Sequence, residues 1–385
     1  MPAIDDVRQS DALFASYVGF SFLAWYLNGL GAVLPSLREE IGQGAGLYAL
    51  LPGAALFTWG LITVTRPRRE HSHSGRTPGI AVGFVVLALA IVVMGITGWP
   101  AVSVFGAVVA AVAAAHVNRV LPGMLATTTT GRRVESAMMR ANAFSSVAAI
   151  SAPLVVGASL ALGAGWLTGF VVPIAIAALL VVWTARRSPP TAPVDKQGDR
   201  APLPPFRDWW RECAVLSVSI VVEFCFAYFA ATYLTEERGM SKAAAAAGGA
   251  AWGVGMAIGR FGFSVRAPPR SILPSAVTIL VGFALFWCIP NSVSSIVGIG
   301  VAGLGASPLY PSRITILMDR FPGAAHEGSK RGALAAGSAL LMAPALMVSL
   351  RAVSDVRMAY LAVPVLLVVL VVLATPRHAP QPARV

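Results

Sequence analysis

Runs of 19 to 28 mostly apolar residues recur along this chain, each long enough to cross a bilayer as a helix. Twelve can be drawn: 12–36, 45–64, 78–97, 100–127, 137–160, 164–185, 210–235, 243–264, 271–289, 293–318, 332–351 and 357–375. Hydrocarbon offers no water to an unpaired N–H or C=O, so a spanning run of this length satisfies its backbone internally, as a helix. The expected fold class is an all-α integral membrane protein with twelve transmembrane helices. Composition agrees, with 56% hydrophobic and only 12% charged residues, against about 25% charged in soluble domains. A soluble two-domain enzyme does not fit those numbers.

The connections organise the spans. Gly98-Trp99-Pro100, Gly163 to Gly165 and Pro290-Asn291 leave room only for tight turns, so the helices they join run antiparallel. Residues 186–208 are rich in Pro and charge and have no apolar face, the composition of a mobile linker. Six spans precede it and six follow. The predicted organisation is a six-helix half over 1–185, a cytoplasmic linker over 186–208, a second six-helix half over 209–376 and a tail over 377–385. The first eleven residues, MPAIDDVRQSD, lack the basic start and small-residue cleavage site of a signal peptide, so the first run is expected to be a retained span.

The net charge of +12 would suggest nucleic acid in a soluble protein. Its placement argues for topology instead. With the N-terminus inside, 22 Lys and Arg fall on inner segments and five on outer ones: Arg38, Arg238, Lys242, Arg351 and Arg357. That asymmetry predicts a multi-pass protein of the cell membrane with both termini in the cytoplasm, and a lipid bilayer rather than nucleic acid as its partner. Cys213, Cys225 and Cys288 are far apart and form no disulfide or zinc pattern. His71 and His73 sit in a basic loop and read as a solvated face. No metal or cofactor is expected, and no nucleophile–base pair or phosphate loop points to an enzyme. Trp99, Trp209 and Trp210 lie at span edges, where indoles anchor to the interface. Pro52, Pro153, Pro308 and Pro311 interrupt spans, and such breaks are tolerated beside a cavity or another helix.

Two segments carry a family resemblance. Residues 222–262 read VEFCFAYFAATYLTEERGMSKAAAAAGGAAWGVGMAIGRFG, and Gly303 to Gly323 read GLGASPLYPSRITILMDRFPG. With two six-helix halves and a basic linker, they resemble the major facilitator superfamily, and within it the fucose-permease-like branch. The shared features are Glu223 in span 7, the exit Thr232-Tyr233-Leu234, the loop Arg238-Gly239-Met240-Ser241, the run from Gly255 to Arg260 closing span 8, and the Ser-Pro and Tyr-Pro pairs of span 10. The resemblance implies secondary transport of a small-molecule substrate by alternating access, with spans 1, 4, 7 and 10 lining a central cavity. Where sugar symporters of that branch carry acids in spans 1 and 4, this chain has Asn28 and Asn118. The loop after span 2 keeps only Arg66, Arg68 and Arg69 of the superfamily's motif.

Charges within spans sharpen the expectation, because each costs roughly 2.5–3.5 kcal/mol to insert and needs a partner or a polar cavity. Glu223 lies twelve residues beyond Arg211, about 18 Å along a helix and close to the midplane. Arg119 and Arg313 occupy matching offsets in AHVNRVLPGM and LYPSRITILM, with His116 and Tyr310 three residues earlier on the same face. The candidate substrate-binding residues are Arg119, Arg313, His116, Asn28, Tyr310 and Tyr228, and the candidate proton-coupling residue is Glu223. One alternative has Glu223 pairing with Arg119 or Arg313 only to hold the halves together. Another is a sensor or structural protein that kept the fold and lost transport. Import and export both remain open, protons are the expected coupling ion, and a monomer is the expected state.

Overall fold

The computed structural model describes residues 4–65, 76–128, 132–185, 203–265, 272–321 and 325–375. The arginines after span 2, His71, His73 and most of the linker fall outside them. Among the described residues there is no strand. The first six helices are α1 (Ile4–Ile41), α2 (Ala45–Thr65), α3 (Arg76–Met94), α4 (Pro100–Thr128), α5 (Arg132–Ala161) and α6 (Gly165–Ala185). They are followed by α7 (Phe206–Glu236), α8 (Lys242–Val265), α9 (Leu273–Cys288), α10 (Ser292–Ala306), α11 (Leu309–Asp319), α12 (Ala325–Val353), α13 (Val356–Ala359) and α14 (Ala362–Ala374). Among the described residues eight stretches are long and apolar enough to cross a membrane, and Ala81–Met94, Gly165–Leu180 and Leu273–Cys288 are shorter apolar helices. The chain is a multi-pass membrane protein.

Helix positions follow the apolar runs closely, with three differences that have local causes. The tenth run divides at Ser307-Pro308 into α10 and α11. Pro308 has no N–H for the ladder, and Pro311 removes a second donor one turn on. The twelfth run divides at Tyr360-Leu361, where Pro364 cannot bond back to the Tyr360 carbonyl. The segment assigned to the linker ends early: Pro205 is the N-cap of α7, so Phe206 to Asp208 are helical. Phe206 packs its ring 4.9 Å from Trp209 and 6.5 Å from Trp210. Pro52 and Pro153, in contrast, sit inside unbroken helices.

In the first half α1 packs on α2, α4, α5 and α6; in the second α7 packs on α8, α11, α12 and α14. The halves meet along α2 with α12, α5 with α8, and α1 with α7. Small residues allow this approach. A Cβ on Gly253 of α8 would lie 2.8 Å from backbone atoms of Ala149 and Ile150 on α5, closer than packed atoms tolerate. The helix ends on the side bearing Arg38, Glu236 and Lys242 are also tied across the halves. Arg38 of α1 meets Glu236 of α7 at 2.6 Å, and Lys242 of α8 pairs with Glu39 of α1. Arg351 of α12 reaches both Glu236 oxygens, at 2.6 and 2.8 Å. At the opposite end, Arg320 pairs with Glu212 at 2.9 Å, and Arg331 with Glu327 at 2.7 Å, all within the second half.

Candidate functional site

Glu223 stands near the middle of the 31-residue α7. Ala227, Ala230 and Ala231 follow it at i+4, i+7 and i+8, one helical stripe, and they line a small cavity between the halves with Asn28 of α1, Ala149 of α5 and Trp252 of α8. The cavity measures about 10 Å³, room for roughly one water. Glu223 therefore faces the seam, one turn beyond the cavity, and it is half-buried. Among the described residues no side chain hydrogen-bonds its carboxylate.

The cation that bears on Glu223 is Arg260 of α8, and both charges act on the Tyr310 hydroxyl at the start of α11. Arg260 lies eleven residues beyond Gly249, another lining residue, and so continues the stripe of α8 that faces α5. It is also anchored in the opposite half: Nη1 donates to Ser146 Oγ at 2.9 Å and to the Asn142 carbonyl at 3.2 Å, both on α5. The register of α8 that delivers it is set one turn earlier, where Gly255 presses against the Gly300 carbonyl of α10 with no space for a Cβ. One acid, one guanidinium and one phenol from α7, α8 and α11 thus lie within electrostatic reach of one another, near the break in the tenth run. A carboxylate with no fixed hydrogen-bond donor beside an anchored guanidinium can exchange a proton, or hold a donor on a solute, without dismantling its surroundings.

The other sequence candidates fall into place around this group or apart from it. Tyr228 is fully buried, its ring 5.0 Å from Phe224, and its hydroxyl has no hydrogen-bond partner among the described residues. Asn28 is half-buried, donates to the Ala24 carbonyl at 2.8 Å and lines the small cavity. His116 is half-buried on α4, and Arg119 lies three residues on in the same helix, with its side chain outside the described residues. Arg313 is buried on α11, but the acid that bears on it is Glu212, toward the end of α7 away from Glu236. In the sequence Arg260 reads as one of the inner basic residues; the local signal that sets it apart is its place at the close of the Gly255–Arg260 run. Of the expected anchors, Trp99 is 72% exposed, whereas Trp209 carries the Arg331 guanidinium 4.9 Å above its ring.

The sequence profile of the Major Facilitator Superfamily matches residues 12–326. The chain belongs to that superfamily. No curated protein matches the sequence closely. Among solved structures, a bacterial homologue of the human lysosomal transporter Spinster, in an inward-facing and unoccupied conformation, superposes with a TM-score of 0.69 and 15% identity over 95% of this chain and 96% of that one. The Escherichia coli fucose:proton symporter FucP superposes at 0.61 with 17% identity, over 94% and 97%. At such identities the likeness shows the fold. This superfamily member is of a transporter family, not an enzyme family.

Proposed function

We propose that this superfamily member is a proton-coupled secondary transporter of a small polar solute, working by alternating access across the cell membrane. In this reading twelve spans form two six-helix halves, 1–185 and 209–376, with the 186–208 linker and both termini in the cytoplasm. Glu223 is the coupling group. The observation that carries the reading is its position: a carboxylate at mid-span, facing the seam, with no hydrogen-bond donor assigned to it among the described residues and an anchored guanidinium nearby. A structural ion pair would instead be closed by direct hydrogen bonds, as Glu327 is by Lys330 and Arg331.

Arg260 and Tyr310 complete the coupling group. Asn28, Tyr228, His116, Arg119 and Arg313 line or border the solute path. The solute is a small molecule that offers hydrogen-bonding groups to this set, and the protein acts as a monomer without a cofactor. The Spinster homologue and FucP support the reading through the shared fold, and FucP is a proton symporter.

The test is gradient-driven flux in proteoliposomes, with the substrate found by ligand-stabilisation screening of the purified protein. Glu223→Gln keeps shape and hydrogen-bonding capacity while fixing a neutral group. It should abolish accumulation against a gradient while solute exchange down its own gradient survives. Unchanged uphill transport in Glu223→Gln would remove the coupling role. If His116→Gln alone stops coupling, the role moves to His116.

A further inference from the structure

Away from the transport seam, α14 turns one face outward from the bundle. Val365, Val368 and Val372 recur on it at i, i+3 and i+7 and are 63%, 64% and 66% exposed. Val356–Ala374 is an apolar membrane span, so this stripe lies against hydrocarbon. From Val365 to Val372 it extends about 10 Å along the helix axis. By itself such a stripe fits any acyl chain.

The end of the stripe is less general. Arg211 of α7 donates through Nη2 to the carbonyl of Thr375, the C-cap of α14, three residues beyond Val372. Arg207 and Trp210 stand at i−4 and i−1 to Arg211, on the same face of α7. Two guanidiniums and an indole therefore gather where the valines stop. The Arg207 side chain is 86% exposed. Trp210 is exposed as well, with its ring stacked on that of Phe206 at 6.5 Å. An indole at the end of a span sits at the level of lipid headgroups.

Charge defines what fits there. Asp208 approaches Arg207 Nε only at 3.5 Å, between exposed groups, a weak pairing. Glu212, the next acid along α7, is engaged by Arg320 at 2.9 Å. The Thr375 carbonyl is neutral, so it holds Arg211 without cancelling its charge. Two arginines against Asp208 leave an excess of positive charge at the end of an apolar stripe. The planar fork of arginine suits the oxygens of a phosphate. A phosphate joined to acyl chains meets both parts, oxygens on the arginines and a chain on the valines. A choline headgroup would bring its fixed cation beside the guanidiniums, whereas a net anionic headgroup would not.

We infer that the α7–α14 corner binds an anionic phospholipid, its phosphate on Arg207 and Arg211, its interfacial part against Trp210 and an acyl chain along Val365, Val368 and Val372. In the proposed topology this corner faces the cytoplasmic leaflet, where anionic lipids concentrate. The site is separate from the Glu223 group and stands whether or not Glu223 couples protons.

The test uses the full chain in phosphatidylcholine nanodiscs doped with a photoreactive phospholipid that carries a diazirine midway along one acyl chain. Its headgroup is phosphatidylglycerol in one arm and phosphatidylcholine in the other, with identical chains. Mass spectrometry locates and counts the adducts. The phosphatidylglycerol probe should label the Val365–Val372 stretch at least about fivefold more than the phosphatidylcholine probe, the preference that one basic side chain gives at an anionic surface. Arg207→Gln, at an exposed position, should cut that preference by at least about half, and the double variant with Arg211→Gln should abolish it. The single variant carries the test even if loss of the Arg211–Thr375 bond loosens α14. Equal labelling by both headgroups in the parent protein would show ordinary annular contact and overturn the site. So would a preference undiminished in Arg207→Gln, or phosphatidylglycerol adducts that leave α14 unmarked.

Discussion

Arg260 of α8 donates a 2.9 Å hydrogen bond to Ser146 of α5, so the guanidinium that bears on Glu223 is fastened to the opposite half of the molecule. A change in charge at Glu223 is thereby felt by a side chain that bridges the seam.

This bridge separates two kinds of substitution. Arg260→Ala removes a half-buried charge and both α5 hydrogen bonds, and should lower the flux rate by more than about tenfold, which corresponds to about 1.4 kcal/mol. Arg260→Lys keeps the charge but not the planar fork, and should also be impaired. Ser146→Ala deletes one hydrogen bond, worth about 0.5–1.5 kcal/mol, and should cost about two- to tenfold. Initial uptake rates in proteoliposomes, normalised to folded protein, check the order.

The ion pairs at the Glu236 end make a second expectation. Arg38–Glu236 and Lys242–Glu39 join the halves there, and all four side chains are partly exposed, so each pair is worth about 0.2–1 kcal/mol. Glu236→Gln should shift the balance between open and closed forms of this end by roughly two- to fivefold, the change that such energies allow. Spin labels on Gly44 and Ser241, with distances read by pulsed electron resonance, should show a larger widely spaced population in the variant. Raising salt should move the parent protein the same way.

Close approach of α8 to α5 yields a stability test. Gly253→Val drives its side chain into the Ala149–Ile150 backbone, and overpacking of this kind costs about 1–3 kcal/mol. The purified variant should melt lower in detergent. Gly249→Ala, at a position where a Cβ meets nothing within 4 Å, should melt close to the parent.

Topology is checked by labelling. In a background without Cys213, Cys225 and Cys288, cysteines placed at Ser188 and Ser349 should react with an impermeant reagent from opposite sides of the membrane. Reaction at Ser188 on intact cells would invert the proposed orientation.

Most of the helices were legible in the sequence because hydrocarbon imposes one simple demand on a spanning segment, an apolar run with a self-satisfied backbone. The tight turns and the residues 222–262 and 303–323 that carry the family resemblance were equally local. The breaks at Ser307-Pro308 and Tyr360-Leu361 were only half legible: proline marks where a ladder bond is lost, but Pro52 and Pro153 lose the same bond inside helices that continue. Whether a helix divides there depends on what packs beside it.

The charges divide in the same way. Glu223 could be singled out by depth alone, since position along a span is a one-dimensional property. Its relation to Arg260 could not, because Arg260 is 37 positions away on another helix and reads by itself as an inner-end basic residue. Nor could the sequence tell that Glu236 gathers Arg38 and Arg351. The sequence by itself determined the class of fold and the depth of each charge, because both depend on transfer from water to hydrocarbon, residue by residue. Only the tertiary structure decided which charges meet, because that depends on helix rotation and on how closely glycine and alanine let neighbouring helices approach.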